Sequence, residues 1–198
     1  MTHLSHIDHC QSYADKLVAT LQATSWEPVG RLIEALADVW QRNGQVFLCG
    51  NGGSDGNANH LANDFLYGVA RASGRGIRVL SLTANSSVVT CLGNDLGYAE
   101  IFSRQLLTLA QTGDLLIALS GSGNSDNIVG ALETSREIGV KSFAILGFDG
   151  GKALARADHA IHFPVHDMQL AEDLQLIVGH MVMQRLSRHS RTTPPNAA

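Results

Sequence analysis

The chain has 198 residues, a formal net charge of −4, 44% hydrophobic residues and only 16% charged ones, against roughly 25% charged in an ordinary soluble domain. That length buries a full core without disulfides or a structural metal, and the charge balance excludes the basic footprint of a nucleic-acid-binding protein. Twenty glycines and four prolines without a repeat exclude collagen-like or low-complexity material, and so few charges suggest that other subunits cover part of the surface.

No apolar run approaches the roughly 20 residues that span a bilayer. The opening MTHLSHIDHCQSYADK carries histidines and acids where a secretory signal needs a basic end and an apolar core, so a cytoplasmic location without membrane contact is expected. A first helix is predicted over 4–23, from Leu4, Ile7, Tyr13, Leu17, Val18 and Leu21 at mixed three and four spacing. A second follows, with Pro28 in its first turn, Leu32, Ile33, Leu36, Val39 and Trp40 in one stripe, and Asn43-Gly44 as its stop. Histidines recur at His3, His6 and His9, which favours a solvated or inter-subunit face over a metal site.

From Gln45 the texture changes. Short apolar runs at Val46–Cys49, Ile77–Leu80, Leu115–Leu119, Ser142–Leu146 and His159–Phe163 alternate with helical stretches near 54–70, 85–110, 125–138 and 151–156. Buried strands alternating with helices form βαβ units, hence a five-stranded parallel sheet in a doubly wound α/β sandwich of three layers. A last helix over about 168–188 closes a single domain of residues 1–188, with N-terminal helices as a hairpin, and HSRTTPPNAA reads as a disordered tail over 189–198. Cys10, Cys49 and Cys91 contain no CxxC pair; they read as reduced thiols, two of them in apolar contexts and expected in the core.

Ligands of open α/β sheets bind at the carboxyl ends of the strands. Two loops there are unusual, Cys49-Gly50-Asn51-Gly52-Gly53-Ser54 and Leu119-Ser120-Gly121-Ser122-Gly123-Asn124-Ser125. Glycines let backbone approach a ligand, hydroxyls add donors, and the following helix N-termini favour an anion. Neither loop is a Walker or dinucleotide motif; a bound phosphate is expected, against plain turn chemistry with Ser125 as an N-cap.

A second constellation is ionisable. His60 and Asp64 are four apart and share a helix face, while Glu172 and His180 are eight apart on the last helix with Gly179 leaving room beside them. Two histidines and two carboxylates can hold a divalent transition metal or divide general acid and base duties. His159 and His162 read as structural, and His166 as a residue that can face a ligand.

CGNGGSDGNANHLANDF, LTANSSVVTCLGNDLGYAEIF, ALSGSGNSDNIVGAL and AEDLQLIVGH resemble the sugar-isomerase (SIS) family in its single-domain, flavodoxin-like form. Within it they are most similar to the phosphoheptose isomerases, which interconvert sedoheptulose 7-phosphate and glycero-manno-heptose 7-phosphate. The resemblance runs over about residues 5 to 187. It implies phosphate binding by Asn51, Gly52, Gly53 and Ser54 and by Ser120, Gly121, Ser122 and Ser125, with Asn94 and Asp95 contacting the sugar or ordering the site. It implies that His60, Asp64, Glu172 and His180 hold a divalent metal, zinc, with Asp64 as base and His180 as acid partner in an aldose–ketose isomerisation through an enediol(ate). It also implies a homotetramer with interfacial active sites.

Two departures from the family pattern stand out. Asp64 replaces a glutamate, withdrawing the carboxylate by about 1.5 Å, and Glu172 replaces a glutamine. Met168-Gln169-Leu170-Ala171 also lacks the Arg-Ile that precedes that glutamine. These changes leave a sugar-phosphate sensor as one non-catalytic reading. The other is a relative that binds a replication-initiator protein, although such relatives lack the histidine–acid pairs and here all four positions carry ligand-capable side chains.

Overall fold

The computed structural model describes residues 3–189, and the structural statements below concern those residues. The tail expected to be disordered lies outside the described residues from 190 onward, as does the side chain of His3. Helices α1 (His3–Ala23) and α2 (Glu27–Gln41) precede a five-stranded, all-parallel sheet: β1 (Gln45–Cys49), β2 (Arg78–Ser81), β3 (Leu115–Ser120), β4 (Lys141–Leu146) and β5 (His159–His162). The spatial order is β2-β1-β3-β4-β5, with Val46 beside both Val79 and Leu115, and Ile117 beside Phe143. The chain winds outward from β1 to β2 and then returns to the other side of β1 for β3. The switch point therefore lies between β1 and β3, where a crevice opens at the strand ends.

Alternation along the central strands sorts the core into two layers. Val46, Leu48, Leu115, Ile117 and Ile145 face α2 and the long closing helix α9 (Met168–His189), together with Leu32, Leu36, Leu174, Val178 and Val182. Phe47, Cys49, Leu116, Ala118 and Ala144 face the opposite layer, with Leu106 of α6 (Ser103–Leu109), Phe102 just before it, and Ile128 and Leu132 of α7 (Asp126–Glu137). Pro28 lies in the first turn of α2, as its fixed φ and missing N–H suit. Helix α1 touches the body through Leu17 and Leu21, which pack against the first layer, and through Tyr13 Oη, which donates to Asp173 Oδ2 at 2.5 Å.

Three expectations need correcting. The stretch predicted as one helix over 54–70 is α3 (Gly53–Asn63), a π-helical turn (Asp64–Gly68) and α4 (Val69–Ser73), with Val69 N–H bonded to Asp64 O, five residues back. The stretch near 85–110 is broken into α5 (Ser86–Asp95), a 3₁₀ turn (Tyr98–Glu100) and α6, because Gly97 at φ +99° turns the chain where a side chain would be strained. Of the cysteines only Cys49 is buried; Cys91 is exposed on α5, which buries no residue. A short α8 (Ala153–Arg156) completes the elements.

Candidate active site

Both glycine-rich loops lie at the switch point, one after β1 and one after β3. Gly52 takes φ +58° at the N-cap of α3, a conformation open chiefly to glycine, so the chain turns directly from strand into helix. A Cβ on Gly53 would collide with the Glu172 carboxylate, and one on Gly123, itself at φ +67°, with the carbonyl of Gly150. The second loop is tied from behind: Gly147 N–H donates to Gly121 O, Ala153 N–H to Gly123 O, and Lys152 N–H to Asn124 Oδ1. Its inner geometry is fixed by Ser120 Oγ, which accepts from Gly123 N–H at 3.0 Å, and by Ser122 Oγ, which accepts from Asn124 N–H at 3.3 Å. The Ser125 side chain makes no cap bond to α7, so its hydroxyl is not spent as an N-cap. The first N–H groups of α3 and α7 have no intrahelical partner and present positive dipole ends.

The two loops are clasped to each other. Asn51 Nδ2 donates to Asn127 Oδ1 at 2.8 Å and Asn127 Nδ2 returns a bond to Asn51 Oδ1 at 2.9 Å. Tyr98 Oη adds a second donor to Asn51 Oδ1. Asn51, expected to touch substrate, thus spends its carbonyl oxygen on the clasp. Asn94 and Asp95 are exposed at the end of α5, bonded to each other (2.7 Å), and Asp95 accepts from Cys91 Sγ; that bond is the main cause raising the Cys91 pKa.

The structure brings His60, Asp64 and His180 together. His60 Nε2 and His180 Nε2 are 2.9 Å apart with the rings nearly perpendicular, and the same Asp64 Oδ2 lies 3.4 Å from one and 3.6 Å from the other. The imidazoles are half exposed, at 48% and 44%, while the carboxylate between them is only 14% exposed. The π-helical turn begins at Asp64 and so shapes the backbone that carries it. Two imidazole nitrogens and a carboxylate oxygen within 4.8 Å of one another suit a divalent transition metal.

Glu172, expected as a fourth ligand, is not in that group. Eight residues separate it from His180, roughly 12 Å along the helix axis, and its carboxylate lies over Gly53 at the start of α3. Gly179 does not leave room for a ligand either: a Cβ there would strike Leu61, so it serves the close approach of α3 and α9. His159 stacks on Phe143 and His162 Nε2 lies 2.9 Å from Phe148 O, the structural roles expected of them. His166 is exposed, paired with Asp149 at 3.2 Å, and not part of the His60–Asp64–His180 group.

Sequence reasoning missed Asn57, Asn127 and Gln175. Gln175 is 1% exposed, accepts from Asn57 Nδ2 at 3.0 Å and donates to Ser54 Oγ at 3.0 Å. The available signal was a polar residue inside an apolar stripe: Gln175 between Leu174 and Val178, and Asn127 four before Ala131.

Residues 10–147 match the SIS domain family. A phosphoheptose isomerase of Aliarcobacter butzleri is 35% identical over 169 residues, 85% of this chain and 87% of that protein. One from Akkermansia muciniphila is 38% identical over 151 residues, 76% of this chain and 79% of its own length. Among solved structures, a phosphoheptose isomerase of Neisseria gonorrhoeae superposes with a TM-score of 0.86 at 25% identity, covering 94% of this chain and all of that one.

Proposed function

The chain belongs to the SIS domain family, and on that premise we propose that it is an aldose–ketose isomerase of a phosphorylated sugar, sedoheptulose 7-phosphate. The observation that carries the reading is the pairing of two hydroxyl-rich loops at the switch point with the His60–Asp64–His180 cluster, in which His60 and Asp64 come from the helical segment that the first loop opens and His180 from α9. Relatives named phosphoheptose isomerase over most of their length support it.

The loops grip the phosphate through helix N-termini and the hydroxyls of Ser54, Ser120, Ser122 and Ser125, a uniform binding contribution that anchors one end of the substrate. At the other end Asp64 takes the proton from the carbon beside the carbonyl, and His180 delivers a proton to the oxygen that was the carbonyl, giving an enediol. Return of the proton from Asp64 to the carbon that was the carbonyl, with the hydroxyl proton of the neighbouring carbon passing to His180 as that carbon becomes the aldehyde, yields the aldose. Two half-exposed imidazoles beside the carboxylate let the transferred proton exchange with solvent.

His60, Asp64 and His180 would hold the metal, zinc by resemblance. When bound it polarises the carbonyl and hydroxyl oxygens and so acidifies the carbon-bound proton. Because a ligated carboxylate or imidazole is not at the same moment a free base or acid, Asp64 and His180 would exchange between holding the metal and moving protons as substrate binds. The same reading takes the cytoplasm as the place of action and a homotetramer as the working form. The half-open cluster has exposed Leu66, Tyr67 and Met181 as near sequence neighbours, apolar groups that a second subunit would cover.

The test is incubation of the purified protein with sedoheptulose 7-phosphate, followed by chromatographic separation of ketose and aldose. Conversion to an equilibrium mixture is expected. Absence of aldose from a folded, metal-supplemented preparation would overturn the reading.

A further inference from the structure

Gln175 belongs to neither the anion loops nor the metal cluster, yet it is 1% exposed on the core stripe of α9 and bonds across to α3. Its neighbours fix which way its amide points. Asn57 Nδ2 donates to the main-chain oxygen of Glu172 at 2.9 Å. A carbonyl oxygen only accepts, so Asn57 presents its nitrogen on this side. The Gln175 atom facing Asn57 is therefore the oxygen, and the atom facing Ser54 Oγ is the nitrogen. An amide nitrogen only donates. Ser54 Oγ is thus the acceptor, and its own proton is left uncommitted. No acceptor for that proton lies among the described residues, although Ser54 is only 3% exposed.

We infer, on the reading of the first loop as a sugar-phosphate site, that Gln175 is a positioning residue: by donating to Ser54 Oγ it commits the Ser54 hydroxyl proton to an oxygen of the bound sugar phosphate. A glutamate has nearly the same shape but accepts from both sides. It keeps the Asn57 bond, captures the Ser54 proton, and leaves the hydroxyl lone pairs facing an anionic ligand. Methionine removes the bond to Ser54 without capturing the proton.

The experiment measures KM and kcat for sedoheptulose 7-phosphate in Ser54→Ala, Gln175→Glu, Gln175→Met and the Ser54→Ala/Gln175→Glu double variant, with circular dichroism to verify folding. Ser54→Ala is expected to raise KM about tenfold or more, the worth of a hydrogen bond to a charged group, with kcat changed less. Gln175→Glu matches it, Gln175→Met costs about threefold, and the double variant is no worse than Ser54→Ala alone, because both changes remove one interaction. If Ser54→Ala raises KM but Gln175→Glu does not, or if the two effects add in full, Gln175 does not act through the hydroxyl. If Ser54→Ala leaves KM unchanged, the substrate reading of the first loop fails instead. Should Gln175→Glu not fold, Gln175→Met decides: a rise in KM equal to or above that of Ser54→Ala overturns the role.

Discussion

At the scale of residues, the chemistry rests on one carboxylate oxygen that faces two imidazole nitrogens lying 2.9 Å apart. Such nitrogens are comfortable in two situations only, with one proton shared between them or with a cation between both lone pairs. The second is the metal reading, and it separates the four acid and histidine positions sharply. His60→Ala should weaken metal binding beyond the roughly 10–100-fold that loss of an outer-shell partner costs, whereas Glu172→Ala should leave metal content unchanged; plasma emission spectrometry of the purified variants measures both. Equal losses would return Glu172 to the ligand set. The spacing of His60 and Asp64 was readable directly, because four residues on a helix share a face. Glu172 lies outside the group in this structure because resemblance supplies positions but not the direction of a side chain, and here the carboxylate turns to Gly53. Gln175 escaped notice because no single-residue rule separates a buried polar node from a solvated glutamine.

At the scale of elements, two features lack a clear signature in the chain, and the first of them shapes the site. The π-helical turn over Asp64–Gly68 adds one residue to the helix that carries the acid; DFLYG reads as helix by any periodicity, since one extra residue shifts the stripe without breaking it. The break at Gly97, by contrast, has a visible cause in Leu-Gly-Tyr, which interrupts the predicted long helix. Helix α1 is the other case. Its apolar positions were legible, but the tie that docks it to α9 is polar, from Tyr13 to Asp173. Burial first, and then that hydrogen bond, push the Tyr13 phenol from 10.0 up to about 12. The neutral phenol is therefore the form favoured in the folded chain. Its contribution is complete below the unfolded value near 10 and is lost as pH rises toward 12. Tyr13→Phe should lower stability by roughly 1 kcal/mol at pH 8 and lack the further loss between pH 10 and 12 that the parent shows in urea titrations. An unchanged loss over that window would assign it to other groups.

At the scale of the whole molecule, the alternation of buried strands and helices was enough to give a doubly wound parallel sheet, and the two glycine-rich loops were enough to mark the crevice in which the anion site is proposed. Strand order was not legible, since hydrophobic runs do not say which strands are neighbours. The order β2-β1-β3-β4-β5 is what turns two loops separated by about seventy residues into one crevice. In that crevice the Asn51–Asn127 clasp holds the loops together, and α9 lays His180 against His60. The low charge content seen at the outset has a counterpart in the exposed Leu66, Tyr67, Leu96, Tyr98 and Met181, apolar groups suited to burial between copies of the chain.

The measurement closest to the central claim is nuclear magnetic resonance of the protein with sedoheptulose 7-phosphate in D2O, for the parent and for Asp64→Asn. The parent should produce aldose signals with deuterium on the carbon beside the carbonyl, and Asp64→Asn should slow that incorporation roughly 10²–10⁴-fold while still binding the sugar phosphate. Aldose formed without deuterium would contradict a proton transfer that exchanges with solvent, and full incorporation by Asp64→Asn would remove Asp64 as the base.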